Sequence, residues 1–426
     1  MELNPVDPFT PPADIELRPS PVAADGAPIR IRPGWIDALG SAARPQPAAD
    51  RFWTAQARTP LIGKQVAVDG VDLVEVSFLA RVDTDREVMV CLTSLTDNHR
   101  ANIEPALLQP ICGGPVRQVS YLLPADGRYS YQLVYRDHFP LQVGADRPGW
   151  VRVRQDGRPD PRNPALLTRP HTGPASVFRG PGTPRHPTAQ HFEPVDGVVD
   201  PRGPAGRELL VEHSDGRSRR ATLLTGADPG APLLILLDGE AWRPWNLSAL
   251  RTGRRRPTLV LMDSVDLQRR AAELPIPDRC ARIITDLLAA VRRTGLVTVD
   301  PDRTTIAGQS FGGLAAAGLV IDRPDLATSA IVQSGSFWFD RDVSSAPGAT
   351  APGHLTRSLA GRTLGHRPRL AVQVGTDEAE MTTQARQFRD AARAAGAAVS
   401  YTEFRGGHDY AWWREELATG MRQLGI

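Results

Sequence analysis

The sequence predicts an α/β fold of alternating strands and helices, preceded by a smaller all-β domain. Three observations carry that expectation. A short apolar strand, Arg303 to Ala307, runs into Gly308-Gln309-Ser310-Phe311-Gly312, and a small-residue helix, Gly312 to Asp322, follows it. From Leu233 onward, apolar strand signals alternate with helical ones, the order of a largely parallel sheet. Between residues 71 and 135 the pattern is one of short β-branched and aromatic runs, which reads as a sandwich.

Gly-x-Ser-x-Gly between a strand and a helix is the nucleophile elbow of an α/β-hydrolase. The mechanics account for the residue types. Ser310 must sit on a sharp, strained turn so that its Oγ stands clear of the sheet, and the flanking glycines allow close backbone packing. The helix that starts beneath it offers unpaired N–H groups to a developing negative charge.

Composition sets the bounds. The chain has 426 residues, long enough for two domains with separate cores, and its 41% hydrophobic and 23% charged content is that of a soluble globular protein. A net charge of +2 is too small to argue for nucleic acid. Lys64 is the only lysine among 50 basic residues, and arginine suits flat anions. Cys91, Cys112 and Cys280 form no close-spaced motif, so neither a disulfide framework nor a metal site is expected. The N-terminus lacks a basic, then apolar, leader and no apolar run approaches a membrane span. A cytoplasmic enzyme without a cofactor or membrane partner is expected.

Taken in order, residues 1–50 are rich in Pro, Ala and Asp and read as an extended or partly ordered arm. The β domain, 51–155, is expected to hold strands Val71 to Phe78, Glu87 to Leu92, Val116 to Leu123 and Tyr129 to Tyr135, with Trp150 to Val153 as a further strand. Residues 156–206 collect Pro, Gly, Arg and Asn. They read as an interdomain linker, or equally as a wall of the substrate pocket. The domain 207–426 opens with a hairpin, Glu208 to His213 and Arg219 to Thr225, turning at Asp215-Gly216. Strands follow at Leu233 to Leu237, Thr258 to Met262, Ser329 to Gln333, Leu370 to Gly375 and Val399 to Phe404. Helices are expected over Asp278 to Arg293, Glu380 to Ala395 and Trp412 to Leu424.

A serine nucleophile needs a base and an acid that orients it, in the chain order Ser, acid, His. Of the nine histidines, only His408 follows the last predicted strand, in Gly406-Gly407-His408-Asp409. The acid should follow Leu370 to Gly375, where Asp377 and Glu378 are equally placed. The oxyanion needs two N–H donors. Phe311 supplies one directly after the nucleophile, and Glu240, in the loop after Leu233 to Leu237, is the candidate for the other. Pocket contacts are expected from Trp242, from Arg270 in the segment after Met262, and from Trp338 in Ser334-Gly335-Ser336-Phe337-Trp338. For Arg270 a salt bridge to Glu273 is an equal alternative.

In these residues the chain resembles the enterochelin (enterobactin) esterases, cytoplasmic ferric-siderophore hydrolases. The matching pieces are Leu236-Leu237-Asp238-Gly239-Glu240-x-Trp242, Arg270-x-x-Glu273-Leu274-Pro275 and Ala307 to Leu314. To these add Gln333-Ser334-Gly335-Ser336, Gly406-Gly407-His408-Asp409 with Trp413-Arg414, and in the first domain Leu95 to Arg100 and Gly127-x-Tyr129. The resemblance implies an immunoglobulin-like N-terminal sandwich and attack by Ser310 on an ester of a tris-catechol trilactone. It also implies Glu378, rather than Asp377, as the acid. Where the family carries histidines around Arg270 this chain has Arg269 and Ala272, and Arg243 follows Trp242. These departures leave the catalytic set intact and concern the particular siderophore. Two rivals are a feruloyl- or formyl-thioester-type esterase on the same fold and a non-catalytic siderophore- or carbohydrate-binding protein.

Overall fold

The computed structural model describes residues 10–82, 85–169, 173–184, 206–213, 216–245, 247, 250, 256–341 and 351–426. The start of the expected arm, Asp215 of the expected hairpin turn and the stretch 185–205 of the expected linker lie outside these residues. The chain divides into two units: Arg18–Arg185 with Arg405–Trp412, and Met1–Leu17 with His186–Phe404 and Trp413–Ile426.

In the first unit two helices, α1 (Gly34–Gly40) and α2 (Pro45–Ala55), stand where an extended arm is expected. Aromatic anchors outweigh the Pro/Ala composition there. Trp35 stacks on Phe52 with ring centroids 4.6 Å apart, and Ala49 packs with Leu79 and Val116. Pro45 at the first position of α2 is compatible with a helix start.

Two four-stranded antiparallel sheets form the sandwich. One orders β1 (Leu61–Val68), β2 (Val71–Arg81), β5 (Val116–Pro124) and β4 (Gln109–Pro110). The other orders β3 (Glu87–Leu92), β6 (Arg128–Arg136), β8 (Ala175–Arg179) and β7 (Leu166–Leu167). Phe78, Tyr121, Tyr131 and Phe178 are fully buried in the core that the two sheets share. A short helix, α3 (Leu95–Asn98), follows β3.

Two expectations are corrected here. Trp150 to Val153 is not a strand but part of helix α4 (Arg147–Gln155). The Asp146 carboxylate caps it by accepting from Gly149 N at 2.6 Å, and Trp150 and Val153, three apart, share its buried face. Nor is the interval 156–206 only a connection, because β7 and β8 lie within it. β8 is an apolar run that pairs with β6, and the Pro/Gly-rich surroundings conceal it in the sequence.

The second unit is built on one eight-stranded sheet, ordered β16-β15-β14-β13-β11-β12-β10-β9. Its strands are β9 (Arg207–Glu212), β10 (Ser218–Leu224), β11 (Leu233–Leu237), β12 (Thr258–Met262), β13 (Thr304–Gln309), β14 (Ser329–Gln333), β15 (Arg369–Gly375) and β16 (Ala398–Phe404). β10 runs antiparallel to both β9 and β12, and the other pairs run parallel. The helices between and after the strands are α5 (Gly239–Trp242), α6 (Leu267–Glu273), α7 (Pro277–Arg293), α8 (Phe311–Asp322), α9 (His354–Ser358), α10 (Glu380–Ala394) and α11 (Tyr410–Leu424). This is the α/β-hydrolase order the sequence predicts.

β11 and β13 to β15 are wholly or almost wholly buried and read as continuous apolar runs rather than alternating ones. Three glutamines interrupt them at matching register. Gln309 Nε2 donates to Gln333 Oε1 at 2.9 Å, and Gln333 Nε2 donates to Gln373 Oε1 at 2.8 Å. Gln373 Nε2 closes the row on the Glu416 carbonyl at 2.9 Å. The ladder lets buried amides satisfy one another, and it ties together the strand ends that lead to Ser310, Ser334 and Glu378.

Candidate active site

Ser310 links the end of β13 to the start of α8, at φ 58 and ψ −120. A positive φ on a residue with a side chain costs roughly 1–3 kcal/mol and persists only where the surroundings fix it. Here they do. Ser310 N donates to the Gln333 carbonyl at 3.0 Å, and the Ser310 carbonyl accepts from Leu314 N at 3.0 Å and Ser336 N at 3.1 Å. Gly308 of the motif has a steric reason: a Cβ there would come within 2.3 Å of the Gly312 backbone. Ser310 Oγ lies 3.2 Å from Ser336 Oγ, a buried hydroxyl.

Glu378 follows β15 and is buried. Its Oε1 accepts from Ser334 Oγ at 2.6 Å and from Gly375 N at 2.8 Å. Ser334 Oγ in turn accepts from Trp413 Nε1 at 2.8 Å. Ser334, like Ser310, has a positive φ, 48°. Asp377 beside it is equally buried. The carboxylate of Glu378 is thus held by a hydroxyl and a backbone amide, as an orienting acid requires.

Phe311 opens α8, so its N–H is among those with no acceptor inside the helix. Glu240 is the second residue of α5, after Asp238 in the left-handed region at φ 56 and ψ 48. The Glu240 carboxyl accepts from Ser264 N at 2.9 Å. Burial pushes its pKa up, and the neighbouring Asp238 adds to the rise. His408 sits half-buried in the segment Arg405–Trp412, which belongs to the first unit, whereas Ser310, Phe311, Glu240 and Glu378 belong to the second.

The three expected pocket contacts fare differently. Trp338 is half-buried, with its ring 5.7 Å from that of Phe311, and Phe339 lies 5.6 Å from Phe311. An aromatic surface therefore borders the nucleophile. Trp242 is corrected: it is completely buried and packs edge-on against Trp245 at 5.2 Å. A tryptophan with no exposed surface contributes packing, not contact with a ligand.

Arg270 is corrected too. Its Nε and Nη2 each donate to the Asp238 carboxylate at 2.7 Å, and Nη2 also donates to the Gln309 carbonyl at 3.0 Å. Glu273 instead pairs with Arg219 at 2.7 Å and Arg269 at 3.5 Å. A guanidinium matched by a carboxylate in fork geometry is spent on structure. It braces the loop after β11 against the peptide immediately before Ser310. Arg270→Ala should therefore destabilise the fold by about 3 kcal/mol, the low end for breaking a buried pair, as read by chemical denaturation. KM for an anionic ferric substrate and for a neutral ester should shift by the same factor. A selective rise for the ferric substrate would restore direct contact.

Two groups escaped the sequence reading. Ser336 lies against Ser310, and Ser334 holds the Glu378 carboxylate, whereas the sequence points only to the aromatics of this segment. The available signal was its place: two serines after the strand that neighbours β13. Asp238 is the other: an aspartate at the carboxyl end of a buried parallel strand invites a cationic partner, here Arg270.

Comparison with known proteins agrees with this geometry. Residues 75–189 match the family model described as "Enterochelin esterase, N-terminal", and residues 265–424 match that described as "Putative esterase". An iron(III) enterobactin esterase of Escherichia coli O6:H1 is 30% identical over 360 residues, covering 80% of this chain and 87% of the relative. The enzyme of the same name from Dickeya dadantii is 29% identical, with 89% and 94% covered. Among solved structures, a ferric enterobactin esterase from Salmonella typhimurium superposes with a TM-score of 0.73 at 25% identity, over 88% of this chain and 98% of that one. An enterobactin esterase from Shigella flexneri, solved in the presence of enterobactin, gives a TM-score of 0.72 at 24% identity, over 88% and 97%.

Proposed function

The chain belongs to the iron(III) enterobactin esterase family, and we propose that it is a serine esterase hydrolysing the ester bonds of a catecholate-type trilactone siderophore. The observation that carries the reading is Ser310, held at φ 58 on the N-terminus of α8, in a chain that matches such an esterase over most of its length. The ferric complex is the proposed substrate and the cytoplasm the proposed compartment, where opening the ligand would allow its iron to be taken. Among the described residues no helix is long and apolar enough to cross a membrane.

In the proposed mechanism Ser310 Oγ attacks the ester carbonyl carbon while His408 accepts the hydroxyl proton. Glu378 orients the imidazole and offsets its charge. The oxyanion is met by the N–H groups of Phe311 and Glu240. Collapse expels the serine-derived alcohol of the substrate, which takes the proton from His408. Water, deprotonated by the same histidine, then releases the carboxylic acid and restores Ser310. Trp338, whose ring lies beside that of Phe311, would stack on a catechol ring.

A fluorophosphonate, which reacts only with an activated serine, should label Ser310, and peptide mapping would locate the adduct. Tight binding of a ferric siderophore without any labelling would instead favour a non-catalytic binding protein.

A further inference from the structure

We propose that Ser94 and Ser130 of the sandwich unit are positioning residues for the catalytic base. The inference rests on the esterase reading, in which His408 is that base, and adds to it a task for the N-terminal domain. The segment Arg405–Trp412 belongs to the sandwich unit, and its anchors lie before, at and after the histidine. Arg128 N donates to the Arg405 carbonyl at 3.2 Å. His408 N donates to Ser94 Oγ at 2.7 Å. The Asp409 carboxylate accepts from Ser130 N at 2.5 Å, from Ser130 Oγ at 3.0 Å and from Ala411 N at 3.0 Å.

The socket is built to close tolerance. A Cβ on Gly407 would lie 2.2 Å from the Ser94 side chain, and one on Gly406 would lie 2.7 Å from the Trp412 ring. Trp412 Nε1 donates to the Gly407 carbonyl at 2.5 Å. The Ser130 hydroxyl is itself held, 2.8 Å from Thr93 Oγ1 and 3.3 Å from Arg169 Nη1. Burial pushes Arg169 down to about 10, and the charge of Asp409 opposes that fall. A buried cation thus answers the carboxylate that follows the histidine.

Ser94 adds an independent observation. Its φ is 67 and its ψ −48, close to a γ-turn conformation that is rare and strained. Such strain is retained where the surroundings over-determine it. At Ser94 it brings the hydroxyl under the His408 amide.

The test separates positioning from stability. Ser94 is also the N-cap of α3. Ser94→Gly removes the acceptor but suits the backbone, and glycine costs a helix cap only a few tenths of a kcal/mol, so Tm should hold or rise. Yet kcat for siderophore hydrolysis should fall about 10–100-fold with KM within about threefold, because a misplacement on the order of 1 Å costs about that much. The rate at which a fluorophosphonate labels Ser310 should fall in parallel. Ser130→Ala should behave alike in kinetics, with a modest loss of Tm. Unchanged kcat and labelling in Ser94→Gly would overturn the proposal, as would a fall in activity only in proportion to lost stability. If wild type cleaves no siderophore, the substrate reading fails, and the labelling rates alone decide the positioning role.

Discussion

Ser310→Ala is expected to lower kcat for siderophore hydrolysis by roughly a million-fold, the loss that follows removal of a nucleophile acting as one unit with its base. Binding of the ferric substrate should change by no more than a few-fold, since the hydroxyl's bond to the carbonyl carbon forms only on the way to the acyl-enzyme. Alanine carries the same Cβ as serine at φ 58, so the elbow should survive and the loss be chemical. Glycine at this position makes a sharper test of strain. Ser310→Gly should be equally inactive yet more stable than wild type, by about 1 kcal/mol or more, because glycine adopts a positive φ without penalty. Retained turnover in Ser310→Ala would place the nucleophile elsewhere.

Glu378→Gln is expected to cost about 10³–10⁴ in kcat, the scale on which an orienting acid acts through its histidine. The amide keeps the volume of the side chain and an oxygen for the Ser334 hydroxyl and Gly375 N–H, now at 2.6 and 2.8 Å from Oε1. The charge that stabilises an imidazolium is lost. Asp377→Asn, at a buried neighbour, should stay within about tenfold of wild type if Glu378 is the acid. Steady-state kinetics on the two variants side by side settles the assignment, and the opposite ranking would transfer the role to Asp377.

Much of this organisation is legible in the sequence because it depends on local rules. The elbow announces itself by the Gly-x-Ser-x-Gly spacing, whose Gly308 the close approach of the Gly312 backbone demands, and by the apolar strand before it. The parallel strands show as short, mostly apolar runs. What stayed hidden depends on partners distant in sequence. Asp238 and Arg270 are 32 residues apart and meet as a fork, so no local pattern assigns the arginine to a carboxylate rather than to a substrate. Trp242 reads as a binding aromatic until its burial is seen. Trp150 has strand propensity, but capping by Asp146 and two buried contacts make its segment a helix. The short strand β8 is masked by proline- and glycine-rich flanks.

The family resemblance supplies a substrate class that no single contact in the structure would supply. The geometry adds how the proposed catalytic groups are held: a strained Ser310 fixed by β14, a Glu378 carboxylate fixed by Ser334, and an Arg270 that braces the elbow. We propose that selectivity among siderophores falls to the aromatic surface of Phe311 and Trp338.

Chromatographic product analysis with ferric and iron-free enterobactin, wild type beside Ser310→Ala, tests the central claim most directly. Linear trimer, dimer and monomer fragments from wild type alone are the predicted result, and they would fix reaction class, substrate class and nucleophile together. Intact trilactone in both forms, with a simple aryl ester still hydrolysed, would contradict the siderophore reading while leaving the esterase in place.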